Sequence, residues 1–258
     1  MWTDVSAFLG DYPFRYVEPA TPEWLLGEMD RLRLERAWVG HLPSFLYKDP
    51  RPANGVLERL TAPNRDRLLP LPAIHPGLPG WVDDLNLAAQ VGAPAVRMYP
   101  QGWTGDPAGG NLQVAAATAA AADLPIVLTV KLEDVRQRHP LDTMPDLAPW
   151  AVRALLRSDP DVRVLVTHAE RAFIEEVHFG LTPNEARRVL WEMSWIWGAP
   201  EDHLALLLET VGAGRFAFGT GMPLRIPDAA MAKIELLDVS DDVRDAILGQ
   251  NLVRWLAP

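Results

Sequence analysis

A chain of 258 residues, 48% hydrophobic and 22% charged, has the make-up of a soluble globular protein and the length for one large core. Its formal charge of −10 argues against nucleic acid or an anionic membrane as partner, because phosphate-binding surfaces need surplus cations. With no cysteine, thiolate catalysis, disulfides and cysteine-based metal sites are excluded together.

The first residues, Met1 to Asp4, lack the basic start and apolar core of a signal peptide, and no apolar run approaches the roughly 20 residues that span a bilayer. A cytoplasmic protein is expected. Among the 24 basic residues only Lys48, Lys131 and Lys233 are lysines, so a lysine at a special position stands out.

Taken in order, residues 4–9 read as a first strand, left by a loop at Gly10. Thr21, Pro22 and Glu23 supply an N-cap, a proline at N1 and an acid in the first turn of a helix reaching about residue 34. Strands follow at 36–41, 68–75, 94–99 and 125–131, separated by helices at 54–60, 80–91 and the alanine-rich 113–122. A loop at 100–110 contains glycine, and the charge-dense loop 133–139 reads as solvated surface.

A helix over 145–156 leads to the sixth strand, 162–168, a run of β-prone residues between a turn cluster and another helix at 171–179. Two-fold alternation predicts Val164, Val166 and His168 on one face, Leu165 and Thr167 on the other. Thr182, Pro183 and Glu185 form a capping box. The aromatic run 192–197 is expected to be the seventh strand, followed by a helix over 200–211. The eighth strand is placed at 215–223, with helices at 229–236 and after Ser240 closing the chain. Eight strand–helix alternations at about 30-residue spacing describe a single-domain α/β (β/α)8 TIM barrel over residues 1–258. An open doubly wound sheet is disfavoured, since no glycine-rich phosphate loop follows the first strand.

Chemistry in such a barrel sits where strands finish. The polar groups there are Ser6, His41, His75, Arg97, Tyr99, Thr129, Lys131, His168 and, just past the eighth strand, Arg225. Burying Arg97 and Lys131 calls for an anion, either a ligand or a carboxylate such as Glu133, Asp134 or Glu170. Trp191, Trp195 and Trp197 suit packing, a dimer face or a pocket wall.

At this point the chain resembles the amidohydrolase superfamily, in its amidohydrolase-2 form. Asp4 to Gly10 is similar to an Asp-x-His-x-His-x-Gly opening, residues 125–129 to a strand ending in a ligand histidine, residues 160–168 to the sixth-strand pattern, and Gly219 to Pro223 to Gly-Ser/Thr-Asp-x-Pro. The departures fall on the metal ligands. Ser6 and Phe8 replace two histidines, Thr129 a third, and Gly221 the catalytic aspartate, leaving His168 alone. One imidazole cannot hold a divalent cation that wants three or four protein ligands. No bound metal and no other cofactor are expected; a relocated site using His41, His75 and His168 is the alternative.

The resemblance implies a metal-independent hydrolase, lactonase, lyase or isomerase acting on a small anionic substrate, a carboxylate by preference, since the superfamily includes members that process lactones or related acids without metal. Arg97 would clamp the carboxylate, with His75, Thr129, Ser6 and Arg225 around it. His168 or His41 would transfer protons, Tyr99 would donate or orient, and Lys131 would stabilise negative charge or attack a carbonyl. A catalytically inactive ligand-binding or assembly subunit is the competing reading. The tryptophan content and the family's habit point to a homodimer.

Overall fold

The computed structural model describes residues 1–18, 20–102 and 110–257. Eight parallel strands are found among them: β1 (Thr3–Leu9), β2 (Arg36–His41), β3 (Leu68–Pro70), β4 (Val96–Met98), β5 (Ile126–Thr129), β6 (Val164–Thr167), β7 (Val189–Glu192) and β8 (Phe216–Ala217). They pair in chain order within two runs, β1 to β3 and β4 to β8. A bridge between Ala73 and Arg97 joins β3 to β4, and the Val5 amide donates to the Phe218 carbonyl at 3.0 Å beside β8. The sheet therefore closes into the TIM barrel that the strand spacing predicts.

The helices are α1 (Pro22–Arg31), α2 (Arg51–Thr61), α3 (Trp81–Gln90), α4 (Gly110–Ala121), α5 (Pro149–Ser158), α6 (Arg171–His178), α7 (Pro183–Arg187), α8 (His203–Leu207), α9 (Pro227–Leu236), α10 (Asp241–Asp245) and α11 (Asn251–Leu256). Local chemistry starts them as the sequence leads one to expect: the Thr21 side chain accepts from the Trp24 amide ahead of α1, and Thr182 and Glu185 complete the capping box of α7. No helix among the described residues is long and apolar enough to cross a membrane.

Alternation sorts the barrel into two surfaces. Val96, Met98, Ile126, Leu128, Val164, Val166, Val189 and Trp191 join the outer core beneath the helices. Inside, one residue from each strand or its extension forms an apolar ring: Val5, Trp38, Leu71, Ala95, Val127, Leu165, Leu190 and Ala217. Leu252 and Trp255 of α11 pack against this ring and seal its lower side.

Several boundaries differ from the sequence reading. The seventh strand is Val189–Glu192, which ends where the aromatic run was expected to begin one. Helix α5 starts at Pro149 rather than near 145, and β3, β4 and β8 are shorter than predicted. Glu133 is buried, so the 133–139 loop is not uniformly solvated. Of the loop expected at 100–110, residues 103–109 lie outside the described residues.

Candidate functional site

Two residues further along the strands the inward positions turn polar. Above Ala95, Val127, Leu165 and Leu190 stand Arg97, Thr129, Thr167 and Glu192, all fully buried. Two strands contribute glycine at this level, which makes the room. A Cβ on Gly40 would lie 3.0 Å from Arg97 Nη1, and one on Gly219 would lie 2.7 Å from the Glu192 carboxyl carbon.

The Arg97 guanidinium sits 4.5 Å from the ring centre of Phe8, and neither Nε, Nη1 nor Nη2 has a hydrogen-bond partner among the described residues. The carboxylates Glu133 and Glu170 that were candidates to pair with it are engaged elsewhere. Lys131 takes Glu170, Nζ to Oε1 at 2.7 Å, and Arg15 takes Glu133 at 2.6 Å. A sealed, unpaired cation is costly unless an anion meets it.

Beside it, His168 departs from the alternation predicted for β6. Its φ of 60° is left-handed, so its ring does not follow Val164 and Val166 into the outer core and instead faces Phe8 and Trp195. His168 Nδ1 lies 2.7 Å from the Lys131 carbonyl, to which it can only donate, and this leaves Nε2 as acceptor 3.2 Å from Ser6 Oγ. Ser6 sits in the irregular stretch where the register of β1 against β2 shifts between Asp4 and Ala7. Burial, together with the positive charges of Arg97, Arg225 and Lys131, lowers the imidazole pKa to about 3. His168 is neutral at pH 7.

Glu192 holds this arrangement from below. Its carboxylate accepts from the His168 amide at 3.1 Å, the Ser194 hydroxyl at 2.9 Å and the Ser194 amide. Burial pushes its pKa up to about 7. Lys233 donates to the Ser194 carbonyl at 2.6 Å, and burial lowers its pKa to about 8. Asp4, also buried, accepts from the Ser6 amide at 2.8 Å, the Thr220 amide at 3.1 Å and the Thr220 hydroxyl at 2.6 Å. The Gly221 amide donates to the Ser6 carbonyl at 2.8 Å, tying β8's exit to β1.

The rim is aromatic and basic. Trp195 has the Arg225 guanidinium 3.6 Å over its ring and Lys131 Nζ at 4.9 Å. Phe8, Tyr12, Phe45, Ala73, Tyr99 and Leu132 form one apolar cluster across the mouth. The hydroxyls of Tyr12 and Tyr99 and the indole nitrogen of Trp195 are buried with no hydrogen-bond partner among the described residues. Burial and the nearby Glu133 and Asp142 raise the Tyr12 pKa, so its hydroxyl stays protonated. Beside this cluster a cavity of about 50 Å³ is lined by His75, Tyr99, Phe45 and Met144.

Of the residues singled out in the sequence, Ser6, Arg97, Thr129, Lys131, His168 and Arg225 gather around the Phe8 and Trp195 rings. Tyr99 and His75 stand to one side, at the small cavity; the Gly77 amide donates to His75 Nδ1 at 3.1 Å. His41 is separate. It pairs in register with the outward Leu9, and its ring lies against the Gly10 turn. Sequence reasoning missed Glu192, Ser194, Asp4, Tyr12 and Lys233. The scarcity of lysine marked Lys233 as unusual, and a lone acid ending the apolar run 189–191 was the available signal for Glu192.

A family model described as amidohydrolase (Amidohydro_2) matches residues 59–256. The chain belongs to this amidohydrolase family. No curated protein sequence matches it. Solved structures share its fold. A 2,6-dihydroxybenzoate decarboxylase from Rhizobium superposes with a TM-score of 0.75 at 15% identity, covering 99% of this chain and 98% of the other. A probable 2-pyrone-4,6-dicarboxylic acid hydrolase from Acinetobacter baumannii, with citric acid bound, gives 0.72 at 13% identity and 99% and 98% coverage. A dihydroxybenzoic acid decarboxylase from Polaromonas, with manganese and 2-nitroresorcinol, gives 0.76 at 13% identity, covering 99% and 96%.

That manganese raises the question of whether this amidohydrolase-family chain could grip such an ion. The His168 nitrogens face a hydroxyl and a carbonyl, and the oxygens of Asp4 and Glu192 are occupied by N–H and O–H donors. Among the described residues no three His, Cys, Asp or Glu side chains are grouped to hold a metal. The buried charge of Arg97 opposes a second cation nearby. These residues do not fit a divalent metal.

Proposed function

We propose that this amidohydrolase-family barrel acts without a metal on a small carboxylate held in its mouth, with hydrolysis of a lactone or related acid derivative as the reaction class. The observation that carries this reading is the buried Arg97 guanidinium, whose three nitrogens have no hydrogen-bond partner among the described residues; the Tyr12 hydroxyl and the Trp195 indole nitrogen at the rim are buried without a described partner as well. Donors without acceptors suit an anion, which offers only acceptors. The carboxylates that related barrels act on or carry, 2,6-dihydroxybenzoate and citric acid among them, support the same chemical class.

In this reading Arg97 clamps the substrate carboxylate and Arg225 and Lys131 add positive potential at the rim. Ser6 and His168 form the proton-transfer pair: the Nδ1–H bond to the Lys131 carbonyl fixes the tautomer and leaves Nε2 to accept from Ser6 Oγ or from a water that displaces it. A bound anion offsets the positive charges that depress the imidazole, and so raises its basicity as the substrate arrives. The apolar cluster over the mouth must part to admit substrate and then excludes water from it.

The test is turnover of small carboxylated lactones by chelator-treated protein purified without a histidine tag. Activity that survives chelation and disappears in Arg97→Met is the expected result. Stoichiometric manganese or zinc in the active protein, with activity lost on its removal, would overturn metal independence.

The second reading, a non-catalytic homologue that binds a ligand or serves assembly, is favoured by the apolar cluster that covers the mouth, with a cavity of only about 50 Å³ beside it. Carboxylate binding without turnover of any substrate in the screen would select it.

A further inference from the structure

At the end of the barrel away from the mouth, three consecutive strands are each preceded by an arginine. Arg163 stands one residue before β6, Arg188 one before β7 and Arg215 one before β8. With Arg187 and, from α11, Arg254, they surround an open hollow of about 840 Å³ backed by Trp255. No aspartate or glutamate lines it among the described residues, on a chain whose net charge is −10.

Among the described residues, these arginines are held mostly by neutral groups. Arg188 donates to the carbonyls of Leu156, Asp159 and Val162, and Arg215 to that of Arg187. Arg254 reaches Gln250 and Asn251, and Arg187 reaches the Asn184 side chain. Carbonyls and amides orient a guanidinium without neutralising it. Of the five, only Arg163 forms a salt bridge among the described residues, to Asp123 at 2.5 Å, while Arg188 feels Glu185, Asp159 and Asp161 at longer range. Burial, and after it repulsion from the nearby Arg187, holds the pKa of Arg215 below the ordinary value.

We infer that this hollow binds a phosphate dianion, free or as the phosphomonoester of a small molecule. Several guanidinium groups brought together from successive strand starts can share the oxygens of a tetrahedral dianion, whereas one planar carboxylate is satisfied by a single fork. The open volume leaves room for an organic group attached to the phosphate. The site is separate from the mouth and does not depend on the reaction carried out there.

Calorimetric titration of the full chain with inorganic phosphate, and separately with glycerol 3-phosphate, at constant ionic strength tests this. Saturable binding of one equivalent is expected, weakened at least tenfold in the double variant Arg187→Ala and Arg215→Ala, and unchanged in Arg97→Met. Arg136→Ala, which removes an exposed cation on the loop after β5, should leave it unchanged as well. Tighter binding of glycerol 3-phosphate identifies the monoester as the ligand, and equal binding identifies free phosphate; either supports the site. If the double variant fails to fold, Arg254→Ala, on the surface of α11, should still weaken binding several-fold. Absence of saturation, or an equal loss in Arg136→Ala, overturns the proposal.

Discussion

Arg97 is fully buried against Phe8 with none of its three nitrogens hydrogen-bonded among the described residues, while Lys131 has found Glu170. The Arg97 charge acts on the buried Asp4 only at longer range, with no salt bridge between them, so replacing it with an apolar group of similar length should remove more desolvation penalty than attraction, and Arg97→Met should unfold at higher temperature than the parent, by about 1–4 kcal/mol of stability when no ligand is present. Citrate should raise the melting temperature of the parent protein, and the same substitution should abolish that rise. His168 and Glu192 are linked differently, through pH. His168, depressed to about 3, is neutral in the fold and protonated when unfolded below its ordinary value of 6.5, so its contribution is present above pH 6.5 and is lost as pH falls toward 3. Glu192, raised from 4.5 to about 7, is protonated in the fold and ionised when unfolded, so its contribution is present below pH 4.5 and is lost as pH rises through 7. Each slope is about 1.4 kcal/mol per pH unit, and between pH 4.5 and 6.5 they oppose one another. Denaturant titrations across that window should therefore be flatter for the parent than for either single variant. Glu192→Gln should gain stability as pH rises, and His168→Asn should lose it.

Strand β7 is where the sequence reading and the structure part most instructively. The aromatic run 192–197 carries Trp195, Ile196 and Trp197, all strand formers, yet the chain spends Val189 to Trp191 on the strand because Leu190 must complete the inner ring and Val189 and Trp191 the outer core. That puts Glu192 at the strand's inward end, a buried carboxylate that no periodicity signals. The turn at His168 was hidden for a similar reason: alternation is a rule for extended backbone, and a left-handed residue escapes it. What could be read from residues alone was the eightfold spacing, the Thr21 N-cap and the Thr182 capping box, and the set of polar strand ends, since these depend on local pattern. Which of those ends converge depends on strand register and on where glycine leaves space. Gly219 shows how tightly: its alanine variant would place a methyl against the Glu192 carboxyl carbon at 2.7 Å, and should destabilise the fold by about 1–3 kcal/mol in equilibrium unfolding. An unchanged midpoint for Gly219→Ala would mean that Glu192 is free to move aside.

At the scale of the molecule, one barrel carries a buried arginine above an apolar ring, with α11 closing the ring from beneath. The ring is shared by all eight strands, so a cavity opened in its seal should be felt globally: Leu252→Ala is expected to cost about 2–5 kcal/mol, with a single cooperative transition retained. A biphasic transition would show that α11 docks independently. Because the donors at the mouth do not fit a divalent ion, melting temperature should also be insensitive to chelator and to added manganese, as scanning calorimetry can measure. The placement of Leu252 and Trp255 carries one more consequence, for folding. All eight strands precede α11 in the chain, so a barrel whose strands have paired before α11 docks leaves the lower side of its apolar ring open to water. Such an intermediate exposes a surface on which aggregation and chaperones act until Leu252 and Trp255 cover it.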